Sequence, residues 1–363
     1  MNSLYVTFDT LNPDSGAGKV CIHEINALKG CTDLKGIIAR GDPSKLAESA
    51  KLPIKVVNLE KAYPFNPYLY DYFTADQLSG TVDLLHMSCS PGVALLAKLN
   101  PLHSVCNIVA HDLKTSIEEH ERIYGQPYPF LHNTDPYLHD VLIKHAKMVD
   151  CVFTPSHGSE KWINENIHPK RVEVVPHGCD YPAEISPLPT GLHLGYLGAG
   201  GPDKGLLYLL LAWGKLALKD AELVLAGPCC EGIDPWIQRF APGTVVRKLG
   251  WVKQPLDFFK EVNMVCVPSV TEGFGLLGLE AMAHGRSGII STGAGCSDLV
   301  TDGKDGIIVH PRDPGGIVDA IRSYVADPKQ ASRMGRMARM KAKRYIWDKI
   351  EQTYSRIYKE LME

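Results

Sequence analysis

The 363-residue chain lacks most of the features that mark a specialised protein class. Its longest apolar run, Leu206–Trp213, is far too short to span a bilayer. Neither sign of charge dominates. The formal net charge is −3, which argues against a nucleic-acid binder. Ten cysteines are present, but none form a CxxC pair, and Cys229 and Cys230 are adjacent. That usage suits a reduced chain rather than a disulfide framework. There is no HExxH motif, and His132, His139 and His145 lack metal-ligand spacing. The first apolar run, Leu4–Phe8, reads as a strand with no basic region before it, so no signal peptide is expected. The expectation is a cytoplasmic protein, with peripheral membrane contact still compatible.

What is present reads as an ordinary globular enzyme: 45% hydrophobic and 22% charged residues. The length suits two domains better than one core. In the first half, strand candidates are Leu4–Phe8, Lys35–Ile38, Ile54–Asn58, Leu84–His86, Ser104–Val109, Cys151–Thr154 and Val172–Val175. Their continuous apolar character suits strands of a parallel sheet covered on both faces. Helical patterns such as Lys19–Lys29, Val93–Lys98 and Pro136–Ala146 lie between them. Residues 181–191 then carry Pro182, Pro187, Pro189 and Gly191 and read as a linker. A second alternation follows, with strands at Leu192–Leu197, Ala221–Leu225, Val245–Leu249, Met264–Val267, Gly288–Ile290 and Gly306–Val309. The expected fold is therefore α/β, with two Rossmann-like doubly wound domains facing across a cleft. Residues 1–185 form the first domain and 186–340 the second, with a C-terminal helix over 341–363 packing back toward the first. The basic stretch from Gln330, with Arg333, Arg336, Arg339, Lys341, Lys343 and Arg344, reads as a solvated helical face over core-facing Met334, Met337, Ala338 and Ala342. A basic surface for anionic lipid or polynucleotide is the alternative.

The most informative segment is 268–285, Pro-Ser-Val-Thr-Glu-Gly-Phe-Gly-Leu-Leu-Gly-Leu-Glu-Ala-Met-Ala-His-Gly. The strand candidate Met264–Val267 runs into a Gly-Phe-Gly turn and then an apolar helix. Such a turn presents backbone N–H groups to an anion. Glu272 and Glu280 add acceptors for hydroxyl groups on either side. Phosphates in the middle and sugar hydroxyls at both ends describe a nucleotide-sugar.

Other glycine clusters are less specific. Asp14-Ser15-Gly16-Ala17-Gly18-Lys19 follows the first strand but is not a P-loop, because the required positions hold Pro13 and Val20. Its amides are candidates for a phosphate, against a plain strand-to-helix turn. Gly198-Ala199-Gly200-Gly201-Pro202-Asp203-Lys204-Gly205 is not a dinucleotide fingerprint, since the sixth position is Asp203. NAD binding is rejected. Lys204, ahead of a helix, is placed to meet a diphosphate. His111-Asp112 closes an apolar strand, where cleft chemistry sits, although from pattern alone a capping Asp and an exposed His explain the pair slightly better. The aromatic stretch 113–139 either stacks on an acceptor sugar or packs as an excursion.

The spacing Glu-Gly-Phe-Gly-x-x-x-x-Glu-Ala-Met-Ala-x-Gly resembles the signature of the retaining GT-B glycosyltransferases of family GT4. The resemblance extends through the first glycine loop, His111-Asp112, Thr154-Pro155-Ser156, Val174-Val175-Pro176-His177-Gly178, Lys204-Gly205, Leu249-Gly250-Trp251 and the Tyr-rich C-terminal helix. It implies that Glu280 binds the ribose and Glu272 the transferred sugar. Backbone amides around Gly273, Phe274, Gly275, Leu276 and Leu277 would hold sugar and diphosphate. Lys204 would neutralise the leaving group, with Gly198 beside it, and Gly16 and Gly18 would complete the cradle. His111 would lie near the reacting carbon, and Trp251 and Val252 would meet the base.

One departure stands out. Family members often carry Arg five residues before the lysine, where this chain has Ala199. A lost charge-assisted contact weakens leaving-group stabilisation by roughly 1.5–3 kcal/mol. Arg286 or another basic side chain is the candidate substitute.

The implied reaction is metal-independent, retaining hexosyl transfer from a UDP- or GDP-sugar to a hydroxyl, with no cofactor beyond that co-substrate. The acceptor class (lipid-linked sugar, small metabolite, protein or nucleic acid) and the oligomeric state are not readable. A GT-B nucleotide-sugar epimerase and a non-catalytic nucleotide-sugar-binding subunit are the alternatives.

Overall fold

The computed structural model describes residues 1–7, 11, 15–39, 81–88, 93–108, 113–125, 143–327 and 329–363. The expected strand Ile54–Asn58, the pair His111-Asp112, and most of the aromatic stretch beyond residue 125 lie outside them. The chain divides into two compact units. One holds residues 1–110, 129–177 and 347–363, and the other holds 111–128 and 178–346.

The first unit is built on strands β1 (Asn2–Thr7), β2 (Asp33–Ile38), β3 (Leu84–Ser88), β4 (His103–Asn107), β5 (Cys151–Thr154) and β6 (Val172–Val174). They pair in parallel in the order β2-β1-β3-β4-β5-β6. β3 and β5 are buried along their whole length, the condition that unbroken apolar runs meet in a doubly covered sheet. Helix α1 (Gly16–Cys31) begins three residues before the apolar pattern, because Ser15 caps it and its Oγ accepts from the Gly18 N–H at 3.0 Å. Helix α2 (Val93–Leu99) follows β3.

The described helices continue with α3 (Leu113–Tyr124) and α4 (His157–Asn166). The second unit then supplies β7 (Leu192–Leu197), α5 (Leu206–Leu216), β8 (Ala221–Ala226), α6 (Asp234–Phe240), β9 (Val246–Gly250) and α7 (Pro255–Phe259). After these come β10 (Met264–Val267), α8 (Leu276–Ala283), β11 (Ser287–Ser291), β12 (Ile307–Val309), α9 (Pro314–Ala326) and α10 (Gln330–Ala342). Helix α11 (Trp347–Met362) ends the chain and belongs to the first unit.

Helix α11 packs along α1. His23 stacks on Trp347 with ring centroids 4.1 Å apart, and its Nδ1 lies 2.6 Å from Glu351. Beneath this contact is a buried polar network. Tyr5 donates to Glu24 at 2.5 Å, Asn107 also donates to Glu24, and His86 Nδ1 lies 2.6 Å from the Tyr358 hydroxyl. Burial pushes the Glu24 carboxyl up to about 7, against the pull of these donors.

The sheet of the second unit is also all parallel, in the order β12-β11-β10-β7-β8-β9. Strand alternation sends Leu223 and Leu225 of β8 to one core, with α5 and α9, while Val224 and Ala226 face another with α7, α8 and α10. The two cores cover opposite faces of the sheet.

The proline-rich stretch 181–191 lies along the second unit rather than standing free of it. Arg286 donates to the carbonyls of Ser186 and Pro187 at 3.0 and 3.2 Å, Asn263 to Pro189 at 2.8 Å, and Arg339 to Pro182 at 2.6 Å. These contacts explain why the unit boundary falls after His177 and not near residue 185. On α10, Met334 and Ala338 are buried, but Met337 is half exposed, contrary to its expected core position. Several of the basic side chains there are engaged within the unit: Arg333 with Asp327, Arg336 with Ser332, and Lys341 with Asp305.

Candidate functional site

In the second sheet, β7 comes first in sequence and β8 and β9 are laid to one side of it. The chain then crosses back to place β10 on the other side. The crevice at the carboxyl ends of β7 and β10 is therefore a topological switch point, where open α/β sheets bind ligands. Two loops enter it: 198–205 after β7 and 268–275 after β10.

Glycine allows these loops to meet. Gly205 has φ +70° between the short turn Pro202–Lys204 and α5, and a Cβ there would stand 2.0 Å from the Pro268 carbonyl oxygen. The loops are stitched by the Val270 N–H donating to the Asp203 carbonyl at 2.7 Å. Lys204 thereby reaches Glu272, with Nζ 2.9 Å from Oε1, and lies 3.6 Å from Asp203. Ser269 Oγ donates to the other Glu272 oxygen at 2.7 Å. Burial would lower the Lys204 pKa, but the Glu272 and Asp203 carboxylates outweigh it and hold the ammonium charged above the ordinary lysine range.

Glu272 is fixed through its backbone as well. Its N–H donates to Gly293 at 2.8 Å, and its carbonyl accepts from Gly295 at 3.1 Å. A carboxylate has about four acceptor positions, so two side-chain donors leave capacity for sugar hydroxyls. Gly275, with φ +89°, begins α8, and a Cβ on it would lie 3.3 Å from Glu272 Oε2. No side chain caps this helix and no acid occupies its first turn. The amides of Leu276 and Leu277 thus belong to a helix end that carries partial positive charge and lacks internal acceptors. Phe274 anchors the turn: its ring is buried, and its carbonyl accepts from Cys296 at 2.6 Å. Glu280, partly buried, lies one turn beyond Leu276 on the same face of α8.

The structure thus brings Lys204, Glu272, Gly273, Phe274, Gly275, Leu276 and Leu277 into one crevice, with Glu280 a turn behind. Gly198 borders it, its N–H donating to Ala226 at 3.1 Å. Trp251 and Val252 follow β9 at the same end of the sheet, with Trp251 74% exposed and Val252 partly buried. Gly16 and Gly18 belong to the first unit and head α1, where the Gly18 amide is occupied by Ser15. His111 lies outside the described residues.

Arg286 does not replace the cation missing at Ala199. It is buried and donates to the carbonyls of Phe259, His284, Ser186 and Pro187. Burial pulls its guanidinium down to about 10. It holds backbone and does not face a ligand.

Sequence reasoning missed Asp203 and Ser269, although each stands next to or near a predicted site residue. It also missed the cluster around Glu119 of α3. This carboxylate, 1% exposed, accepts from the Tyr208 hydroxyl, from Arg122 and from Arg312, the last at 2.7 Å. No local pattern marks a pairing between residues 119, 208 and 312.

Residues 191–327, the stretch that carries the crevice, match the family described as glycosyl transferases group 1. That stretch belongs to this family, and the two-domain α/β fold is that of the GT-B glycosyltransferases. Among solved structures, the chain is similar to sucrose-phosphate synthase from Thermosynechococcus elongatus, with TM-score 0.77 and 18% identity over 99% of both chains. It is likewise similar to Anabaena HepE in complex with UDP-glucose, with TM-score 0.75 and 16% identity over 99% of both. Both likenesses are of fold. Among curated proteins, D-inositol 3-phosphate glycosyltransferase of Kribbella flavida is 27% identical over 221 residues, 54% of this chain and 52% of that protein. The chain spans about half or less of the length of the curated relatives it matches first.

Proposed function

We propose that this chain is a glycosyltransferase that moves a sugar from a nucleotide-sugar to a hydroxyl acceptor with retention of anomeric configuration. The observation that carries the reading is the Lys204–Glu272 pair at 2.9 Å in the switch-point crevice, beside the uncapped start of α8. Departure of a nucleoside diphosphate places negative charge on the leaving oxygen and positive charge on the anomeric carbon. Fixed donors aimed at that oxygen supply the required electrostatic stabilisation. Lys204 and the α8 amides are those donors, and Glu272 accepts from the hydroxyls of the departing sugar. Glu280 takes the ribose hydroxyls and the Trp251–Val252 backbone meets the base. His111 hydrogen-bonds the donor sugar near the reacting carbon. The HepE complex with UDP-glucose supports a uridine donor by fold likeness, and the family match supports the reaction class. The protein works without a metal, in the cytoplasm.

The test is a thermal-shift screen against UDP-, GDP- and ADP-sugars, followed by transfer of labelled sugar from the donor that stabilises. Ligand at 100 times its Kd adds about 2.7 kcal/mol of apparent stability. Lys204→Ala and Glu280→Ala are expected to lower donor use at least tenfold while the melting temperature in the absence of ligand stays near wild type. Near-normal kinetics in both would reject the site. Donor isomerisation without transfer would replace the reading with an epimerase.

A further inference from the structure

A cavity of about 280 Å³ lies past the carboxyl ends of β7 and β8, within the second unit. Its walls are the end of α3, with Ile123 and Tyr124, the loop 199–202, and residues between 229 and 236 that lead into α6. It is separate from the donor crevice, because neither Lys204 nor Glu272 lines it. Leu206, Cys229, Ile233 and Trp236 belong to the core with α5 and α9, whereas Phe274, Leu276 and Leu277 belong to the core on the opposite face of the sheet. Gly200, at φ +75°, lets the two loops close around the cavity, since a Cβ there would stand 2.8 Å from Cys229 Cβ.

Two aromatic rings make a corner in this cavity. Tyr124 and Trp236 meet with centroids 5.7 Å apart and planes 64° apart. Phe240 packs on Trp236 at 5.7 Å and His120 on Tyr124 at 4.7 Å, which restrains both rings. Helix α3 is itself fixed, because Glu119 accepts from Arg312 at 2.7 Å and from Tyr208 of α5. The polar side chains are few and uncommitted. Among the described residues, the Glu231 carboxylate, Trp236 Nε1 and the Tyr124 hydroxyl have no hydrogen-bond partner. Glu231 is the single charged residue among those lining the cavity, so a phosphate or other anion would meet repulsion and no cation. A pyranose meets complementary groups instead. Its C–H faces lie on aromatic rings, while its hydroxyls donate to a carboxylate and accept from an indole N–H. The volume is at the small end for ligand pockets, roughly 300–1,000 Å³, and suits one sugar ring rather than a nucleotide-sugar.

We propose that this cavity binds a neutral pyranose, with Tyr124 and Trp236 as the stacking surface and Glu231 as the acceptor for its hydroxyls. That the sugar is a unit of the acceptor rests on the glycosyl-transfer reading; its binding in the cavity does not.

NMR titration of the full chain with the methyl glycosides of glucose, galactose, mannose and N-acetylglucosamine, and with choline, tests this. At least one glycoside is expected to bind, and saturating UDP, GDP or ADP should leave its affinity within threefold. Tyr124→Ala and Trp236→Ala should each weaken it at least fivefold, and Glu231→Gln at least threefold. Tyr124 is 46% exposed and Glu231 is exposed, so those two variants should keep the wild-type melting temperature and nucleoside diphosphate affinity even if Trp236→Ala does not fold. The proposal is overturned if no glycoside binds, if Tyr124→Ala and Glu231→Gln bind it as wild type does, or if a nucleoside diphosphate displaces it. Tighter binding of choline also overturns it, by making the rings and carboxylate a cation cage. Transfer of labelled sugar onto the bound glycoside, with a raised KM and unchanged kcat in Tyr124→Ala, identifies an acceptor unit; binding without transfer identifies a free sugar, and either result supports the subsite. If no nucleotide-sugar binds while the glycoside still does, the transferase reading falls and the subsite stands.

Discussion

Replacing Gly205 by alanine separates backbone strain from the crossing of the two crevice loops. Gly205 has φ +70°, a left-handed conformation that costs a residue with a Cβ roughly 1–2 kcal/mol. Its new Cβ would also stand 2.0 Å from the Pro268 carbonyl oxygen, a backbone atom that cannot rotate away. Relief requires the loops to part by about 1 Å, and a misplacement of that size at a reacting group costs on the order of 100-fold in rate. Gly303 is the control. Its φ is +72°, but a Cβ there would meet nothing within 4 Å. Gly303→Ala should therefore show the strain alone, a fall in melting temperature of about 2–8 °C at roughly 2–4 °C per kcal/mol, with sugar transfer unaffected. Gly205→Ala should lose more stability than that and lower kcat/KM for the donor about 100-fold, because Lys204 moves with the turn. Calorimetry and initial-rate measurements on both variants decide the matter. If Gly205→Ala is no less stable than Gly303→Ala and transfers sugar within threefold of wild type, the loop contact does not position Lys204.

The remaining expectations are simpler. Arg286→Leu leaves the four carbonyls it serves without that donor and should cost at least about 3 kcal/mol in urea unfolding while the chain still binds donor; a loss below 1 kcal/mol would count against its structural role. Four buried histidines, His86 held down by burial to about 3 and His145, His177 and His284 to about 4, accept protons near pH 6.5 once unfolded. The unfolded chain therefore binds more protons between pH 6.5 and about 4, so stability present above 6.5 is lost as pH falls through that window. Melting temperatures that stay flat from pH 6.5 to 4.5 would contradict this. Sugar transfer should survive EDTA, and loss with EDTA that Mg²⁺ or Mn²⁺ restores would refute the metal-independent mechanism.

The strands were legible because strands covered on both faces leave unbroken apolar runs. β10 and β7 fall on the expected residues, and β1 and β8 shift by two residues or fewer. The start of α1 was not, because the apolar pattern begins at Lys19 while a serine cap sets the first turn at Gly16. The carboxylate motif was legible because its chemistry is local: strand, glycine turn and helix lie within the twenty residues Met264–Ala283. Arg286 was misjudged, since a sequence shows a cation but not the carbonyls that surround it. Met337 was misplaced for a related reason, as helical spacing alone does not tell which flank of a buried stripe meets a neighbour.

The sequence by itself determined the α/β class, the donor-type motif around Glu272 and Glu280, and the absence of an arginine at position 199. All three depend on order along the chain. Only the tertiary structure decided that Lys204 and Glu272, 68 positions apart, form one ion pair. It also decided that α3 joins the second unit through Glu119, and that Arg286 supports backbone instead of ligand. Strand order in a parallel sheet is set by crossovers, and crossovers bring together residues that no spacing rule relates.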